Sequence, residues 1–298
     1  MKKEEFLYRD RLLTAITTDG QYRIAIVKST DLVRQARKNH QLSLLTSVLV
    51  GRSLTGALLL ASNLKGEERI QLKLEGHGLV KAVIAEATSH GEVRGYTLQP
   101  DAELDIENNE TLGDGLGVGL LSVSKVLYNK ARPVTGTVEL KRGNVNEDLA
   151  HYLMQSEQVP SAVSLDVSID HNGGIGQAGG VLIQAMPGAD KERTHRLEQN
   201  IMNMAQIGQQ LEDGYLDEIL STVTEGVEVK ELSRYPVDFF CRCSKDQLFR
   251  ALSLLNPEEL LAMEGNSEEM VCHYCGKRYQ FSRDEINAIA EKARARKN

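Results

Sequence analysis

The chain has 298 residues, 41% of them hydrophobic and 26% charged, and at 33.0 kDa it is too long for one small core, so two or three globular units are expected. A net charge of −7 argues against general affinity for nucleic acid, whose phosphates demand a basic face. With 5% aromatic residues and no Trp, a surface for stacking bases or sugars is also not expected.

The opening Met1-Lys-Lys-Glu-Glu-Phe6 carries no apolar stretch of the kind a signal peptidase reads, which predicts a cytoplasmic protein with reduced thiols. Tyr22 to Val27 reads as a short strand, and Thr30-Asp31 opens a helix running to Asn39. Leu42 to Ala61 is apolar enough to suggest a membrane span, but Arg52 sits at its centre. A central Arg costs about 2.5–3.5 kcal/mol on insertion, so a buried core helix is expected and no membrane contact.

Strict alternation in Ile70 to Glu75 marks a half-buried strand, continued by Val80, Ala82 and Ile84. Val93–Leu98, Leu120–Tyr128 and Thr135–Leu140 read as further strands, and Asn146–Ser156 as a helix. Val163–Ile169 and Val181–Met186 flank Asp170-His-Asn-Gly-Gly174, a hairpin signal. From Asp190 to about Lys230 the pattern is helical and polar, with Leu197, Ile201, Met204, Ile207 and Leu211 forming a thin apolar stripe. A segment held by so little apolar surface is expected to loosen when its support is lost.

After Val237 the signals are dense. Ser244-Lys-Asp-Gln247 and Ser282-Arg-Asp-Glu285 are capping boxes, the second flanked by Phe281 and Ile286 as a hydrophobic staple. Asn256-Pro257 restarts a helix that Gly265 ends, and Met270 to Gln280 reads as two strands joined by a tight knuckle. The predicted fold is α+β: a sheet-rich α/β domain with covering helices over 1–188, a helical linker over 189–232, and a small metal-binding domain over 233–298.

All four cysteines fall in that last part, as Cys241-Arg-Cys243 and Cys272-His-Tyr-Cys275. Four thiols in two close pairs meet the requirement of one tetrahedral Zn²⁺, and the same grouping suits two short-range disulfides, so both states stay open. Four sulfurs leave no open position for water, so catalytic zinc is not expected, and His273 between the ligands is read as a neighbour of the site. Four thiolates on a dication leave an excess negative charge, which Arg242, Lys245, Lys277 and Arg278 are placed to offset. A thiolate oxidised to sulfenic acid beside a partner thiol condenses to a disulfide and removes two ligands together. Metal-binding energy in so small a domain is folding energy, on the order of 10 kcal/mol, so oxidation is expected to unfold it.

A Cys-x-Cys-Ser followed at this distance by Cys-x-x-Cys near the end of an acidic chain resembles the heat shock protein 33 family. Gly51-Arg-Ser-Leu-Thr-Gly56, Lys73-Leu-Glu-Gly76 and Gln155-Ser-Glu-Gln-Val-Pro-Ser-Ala162 are similar to further family segments. The chain departs from the pattern at Leu54, where Met is frequent, and near Val134, where an aromatic residue is common. The resemblance implies a redox-regulated chaperone, not an enzyme, that is inactive while reduced and zinc-bound. It implies that peroxide with mild unfolding, or hypochlorous acid, joins Cys272 to Cys275 and Cys241 to Cys243. Zinc then leaves, the linker unfolds, and the protein forms a homodimer that binds unfolded client proteins without ATP. Downstream ATP-dependent chaperones refold those clients.

Two other classes compete. Basic residues towards the end of the chain, Lys292, Arg294, Arg296 and Lys297 among them, suit a zinc-ribbon nucleic-acid binder with a purely structural zinc, and equally suit the C-terminal dipole of a helix. No aromatic platform accompanies them, so no specific nucleic acid is expected. Gly113-Asp-Gly-Leu-Gly-Val-Gly119 suggests a phosphate loop but lacks the Lys-Ser/Thr and the glycine spacing of either nucleotide fingerprint, and is read as a flexible approach to the next strand.

Overall fold

A computed structural model describes residues 9–105, 110–213, 215–263, 265 and 267–297. The Met1–Phe6 stretch and the side chains of Arg296 and Lys297 lie outside the described residues. The chain forms two compact units, Met1–Phe240 and Cys241–Asn298.

In the first unit, β1 (Arg11–Thr17) and β2 (Tyr22–Lys28) begin a five-stranded antiparallel sheet that also holds β8 (Ser161–Ile169), β9 (Ile175–Ala185) and β10 (Val229–Pro236), in the order β10-β1-β2-β9-β8. β1 was not among the expected strands. Leu12 and Leu13 are both buried, so both faces of β1 are covered and its sequence has no clean alternation to read. The sheet continues with β8 (Ser161–Ile169) and β9 (Ile175–Ala185), joined by the expected turn. There Asp170 Oδ1 accepts from the amides of Asn172 and Gly174, both at 2.8 Å, and Gly173 takes a φ of +72°. β9 starts at Ile175, earlier than Val181, because Gly176, Gly179 and Gly180 dilute its strand signal. Two of these glycines have a packing reason. A Cβ on Gly180 would lie 2.9 Å from Thr55, and one on Gly179 would lie 2.7 Å from Leu211, so helices seat closely on both faces.

The second sheet has the order β11-β5-β4-β3-β6-β7. It comprises β3 (Arg69–Gly76), β4 (Ala82–Thr88), β5 (Glu92–Thr97), β6 (Gly119–Val126) and β7 (Val134–Glu139), with the two-residue β11 (Asp238–Phe239) parallel to β5. α1 (Thr30–His40), α2 (Leu44–Ala61) and α3 (Asn146–Gln155) share one large core with the two sheets. α2 is the apolar segment flagged above, and most of its residues are buried inside this unit, as expected of a core helix. Its Arg52 reaches the Asn144 carbonyl at 3.1 Å.

The glycine-rich stretch before β6 is not a loose approach. Thr111 and Asp114 form a reciprocal cap on a short 3₁₀ turn, and a Cβ on Gly115 would lie 3.0 Å from Leu45 of α2. A Cβ on Gly76, Gly78 or Gly119 would collide with backbone of the facing segment. These glycines serve close backbone packing.

The segment expected to be helical to about Lys230 forms α4 (Lys191–Asn203), α5 (Ile207–Asp213) and α6 (Leu216–Val223), and then β10 (Val229–Pro236), which pairs with β1. β10 is mostly exposed and shows little apolar pattern, so only its distant partner reveals it as a strand. It also carries the compact-unit boundary to Phe240/Cys241, past the 232/233 division read from the sequence. The helices cover the second face of the first sheet: Leu197, Ile207, Leu211, Leu216, Ile219 and Val223 bury against Leu13, Ile24, Ile26, Val181 and Ile183. The apolar stripe therefore runs on beyond Leu211.

The second unit holds α7 (Lys245–Leu252), α8 (Pro257–Ala262), the antiparallel pair β12 (Ser267–Val271) and β13 (Arg278–Ser282), and α9 (Arg283–Lys297). The Ser282 capping box forms, with Ser282 and Glu285 exchanging backbone-to-side-chain bonds at 2.8 and 3.3 Å, while at Ser244 the cap itself forms, its Oγ accepting from Gln247 N at 3.2 Å, without the reciprocal bond from Gln247. Phe281 and Ile286 are both buried, in a small apolar cluster that, among the described residues, also holds Leu252, Leu260, Ile289 and Ala290. A core that small needs a further constraint to hold.

Candidate metal centre

The β12–β13 hairpin turns through Cys272-His-Tyr-Cys275-Gly276. Cys272 N donates to Lys277 O at 2.9 Å, while Cys275 N and Gly276 N turn back onto Cys272 O at 3.3 and 2.8 Å. Gly276 has a φ of +69°, the left-handed conformation that lets so short a turn close. Cys241 and Cys243 come from the irregular segment ahead of α7. The fold brings all four sulfurs within 4.8 Å of one another, with Cys272 and Cys275 buried and Cys241 and Cys243 half-buried.

Cys241 Sγ lies 3.9 Å from Cys272 Sγ, and Cys243 Sγ lies 3.4 Å from Cys275 Sγ. A tetrahedron with bonds of about 2.3 Å has edges of about 3.8 Å, so the thiols are spaced as ligands of one soft dication. These cross-pairs are not the sequence-adjacent pairs that the resemblance assigns to disulfides. The reduced arrangement juxtaposes all four sulfurs and favours no one bond.

The four thiols differ in their surroundings. Burial pushes Cys272 and Cys275 up; amides of Cys275 and Tyr274 partly offset this at Cys272, and the Lys277 amide does so at Cys275. Burial also raises Cys243, but hydrogen bonds from Tyr279 and the other three cysteines outweigh it and leave that thiol below its ordinary value. The Tyr279 hydroxyl lies 3.2 Å from Cys243 Sγ and 3.0 Å from Cys243 O, and its own pKa is raised by that sulfur. The sequence reading missed Tyr279. Its signal was its place on β13 two residues before the buried Phe281, which puts both on one face of the strand.

Of the cations expected to offset the thiolates, Lys245 and Arg278 are engaged with carboxylates. Lys245 Nζ binds Glu285 at 2.7 Å, and Arg278 binds Glu269 at 2.5 Å. Lys277 Nζ sits 5.2 Å from the centre of the Tyr279 ring, so its charge bears on the site through that residue. Lys292, one of the terminal basic residues, lies 5.1 Å over the Phe249 ring.

A strand-rich unit with one sheet face roofed by polar helices, followed in the chain by a small unit built around four clustered thiols, defines a protein class that joins a larger folded body to a cysteine-centred module. The sequence profile described as "Hsp33 protein" matches residues 10–282. The 33 kDa chaperonin of Desulforamulus reducens is 37% identical over 289 residues, covering 95% of this chain and 98% of that protein. The 33 kDa chaperonin of Levilactobacillus brevis is 36% identical over 294 residues, covering 96% and 99%. The crystal structure of the 33 kDa chaperonin from Thermotoga maritima, a heat shock protein 33 homologue, matches with a TM-score of 0.90 at 31% identity, over 96% of this chain and 99% of that one. The chain belongs to the Hsp33 family.

Proposed function

We propose that this chain is a redox-regulated, ATP-independent holdase that binds unfolding proteins during oxidative and heat stress in the cytoplasm. In the reduced state Cys241, Cys243, Cys272 and Cys275 hold one Zn²⁺, which supplies folding energy to the small C-terminal unit and no open position for catalysis. The observation that carries this reading is the meeting of four thiols at tetrahedral spacing in a unit whose described apolar core is small.

Oxidation removes the ligands in pairs. One thiolate attacks a peroxide oxygen, giving a sulfenic acid and hydroxide, and a second thiol displaces that oxygen as water to form the disulfide. Each disulfide consumes two thiols and one peroxide and yields two waters. The pairing of Cys241 with Cys243 and of Cys272 with Cys275 comes from the family resemblance. It is supported by reach: those partners stay adjacent in an unfolded chain, whereas the cross-pairs depend on the fold.

Release of the helical segment 189–232 would uncover Leu13, Ile24, Ile26, Val181 and Ile183, an apolar sheet face suited to unfolding clients. The active form is a homodimer that passes clients to ATP-dependent refolding chaperones. The test compares reduced, zinc-loaded protein with peroxide-treated protein at about 43 °C, a mild-unfolding temperature for many domains. Zinc release, loss of free thiols and suppression of client aggregation are expected together. Retained zinc, or equal protection by the reduced form, would sink the proposal.

A further inference from the structure

The knuckle sulfurs are served by main chain. Amides of Tyr274 and Cys275 hydrogen-bond Cys272, and the amide of Lys277 hydrogen-bonds Cys275. These donors persist for as long as the turn itself does. Cys243 differs, because the group beside its sulfur is a side-chain hydroxyl, that of Tyr279, at 3.2 Å. That hydroxyl has one proton and two acceptors in reach, Cys243 Sγ and Cys243 O at 3.0 Å. When Cys243 is a metal-bound thiolate the charge-assisted bond to sulfur is the stronger, so the proton goes there. Lys277, 5.2 Å from the ring centre, holds the ring in place and makes its hydroxyl a better donor.

We infer that Tyr279 is a positioning residue that restrains the nucleophilicity of Cys243 and so sets the oxidant threshold of the cluster. This rests on the switch proposed above. A thiolate that accepts a hydrogen bond has its lone pair drawn down, binds a positive metal with less mutual repulsion among four sulfurs, and attacks peroxide more slowly. In the restrained step, Cys243 sulfur would attack one peroxide oxygen, the O–O bond would break with loss of hydroxide, and a second thiol would then displace the sulfenic oxygen as water. Holding Cys243 back raises the oxidant exposure needed before that sulfur is lost as a ligand.

The test uses Tyr279→Phe in the full chain, which keeps the ring, the strand and the Lys277 contact. Cobalt(II) is loaded in place of zinc. Loss of the hydrogen bond raises the energy of the sulfur lone pair, so the sulfur-to-cobalt charge-transfer band is expected to move to longer wavelength. In the zinc form, metal affinity is expected to fall about tenfold. Peroxide-driven zinc release, followed with a chromogenic chelator, should be several-fold faster, with early modification found on Cys243 by mass spectrometry. A 3-fluorotyrosine at position 279, a stronger donor of nearly the same shape, should move band and rate the opposite way, which keeps the inference testable if the phenylalanine variant assembles poorly. An unmoved cobalt band overturns the inference, even where release is faster. If the unaltered protein keeps its zinc in peroxide, the switch reading fails, while the cobalt band still reports on the hydrogen bond.

Discussion

The amide of Gly208 donates to Asp166 Oδ2 at 2.9 Å, tying the start of α5 to the middle of β8. A Cβ on Gly208 would lie 2.8 Å from that oxygen and 3.2 Å from Ser168, so only glycine approaches this closely. Beside this tie, Ile207 and Leu211 settle over Gly179 of β9. Gly208→Val should therefore lift α5 at a cost of about 1–3 kcal/mol. Trypsin should then cut at Lys191, Arg193 or Arg196 in reduced protein that still holds its metal. Unchanged cleavage would mean that the segment is anchored elsewhere.

Cys275→Ser removes a buried ligand from the knuckle. Zinc affinity should fall by more than about 100-fold, since even residues that only support ligands are worth roughly 10–100-fold. The unit Cys241–Asn298 should lose its helical signal while the sheets of the first unit stay folded. Metal content and circular dichroism on the same sample check this. A serine variant with full zinc and unchanged helix would rule out the four-sulfur site.

Asp10 is 5% exposed; its Oδ2 accepts from Leu32 N at 2.8 Å at the start of α1, and its Oδ1 is buried without a hydrogen-bond partner among the described residues. Burial pushes its carboxyl up to about 7, against the opposing pull of amides at Leu32 and Asp31 and of Lys28. Because the folded value lies above the ordinary 3.8, folding favours the protonated form. The contribution is most favourable below about pH 4, declines as pH rises to 7, and is flat above that. Asp10→Asn keeps the acceptor and removes the charge, so it should stabilise the protein by on the order of a few kcal/mol at pH 8 and by little at pH 4. Denaturant titrations of both proteins across this range should converge at the acid end. Parallel curves would show that the carboxyl is not perturbed.

Gly51 lies where α2 meets α1 and β8. A Cβ there would lie 2.9 Å from both Val33 and Val167. Gly51→Ala is expected to cost about 1–3 kcal/mol through overpacking, with no change in zinc content or in the rate of peroxide-driven zinc release. Thermal unfolding measures the first effect. A shift in release rate would show that this helix contact reaches the cysteine module.

Much of the fold was legible because its signals are local. The alternation of Ile70 to Glu75, the Asp170–Gly174 turn, the helix cap at Ser244 and the capping box at Ser282 each lie within a few residues, and each formed where the sequence placed it. β1 and β10 were missed because their evidence is each other. One is buried on both faces and the other is nearly bare, and neither carries a period that a single strand can show. The same holds for Gly179 and Gly180, which read as strand breakers until the helices on either face are in place.

Sequence alone determined the residue chemistry of this protein: four thiols in two close pairs, a small unit with few apolar residues to bury, and a polar helical segment with a thin apolar stripe. Those are matters of residue type and short spacing. Tertiary structure decided which surfaces those parts act on. It set the four sulfurs within 4.8 Å of one another, gave Cys243 the Tyr279 hydroxyl, and laid Leu197 to Val223 over the face of a sheet whose outer strand comes from the far end of the first unit. The physical reason is that ligand type is a property of a side chain, whereas the neighbour that restrains it or covers it is supplied by chain closure over many residues.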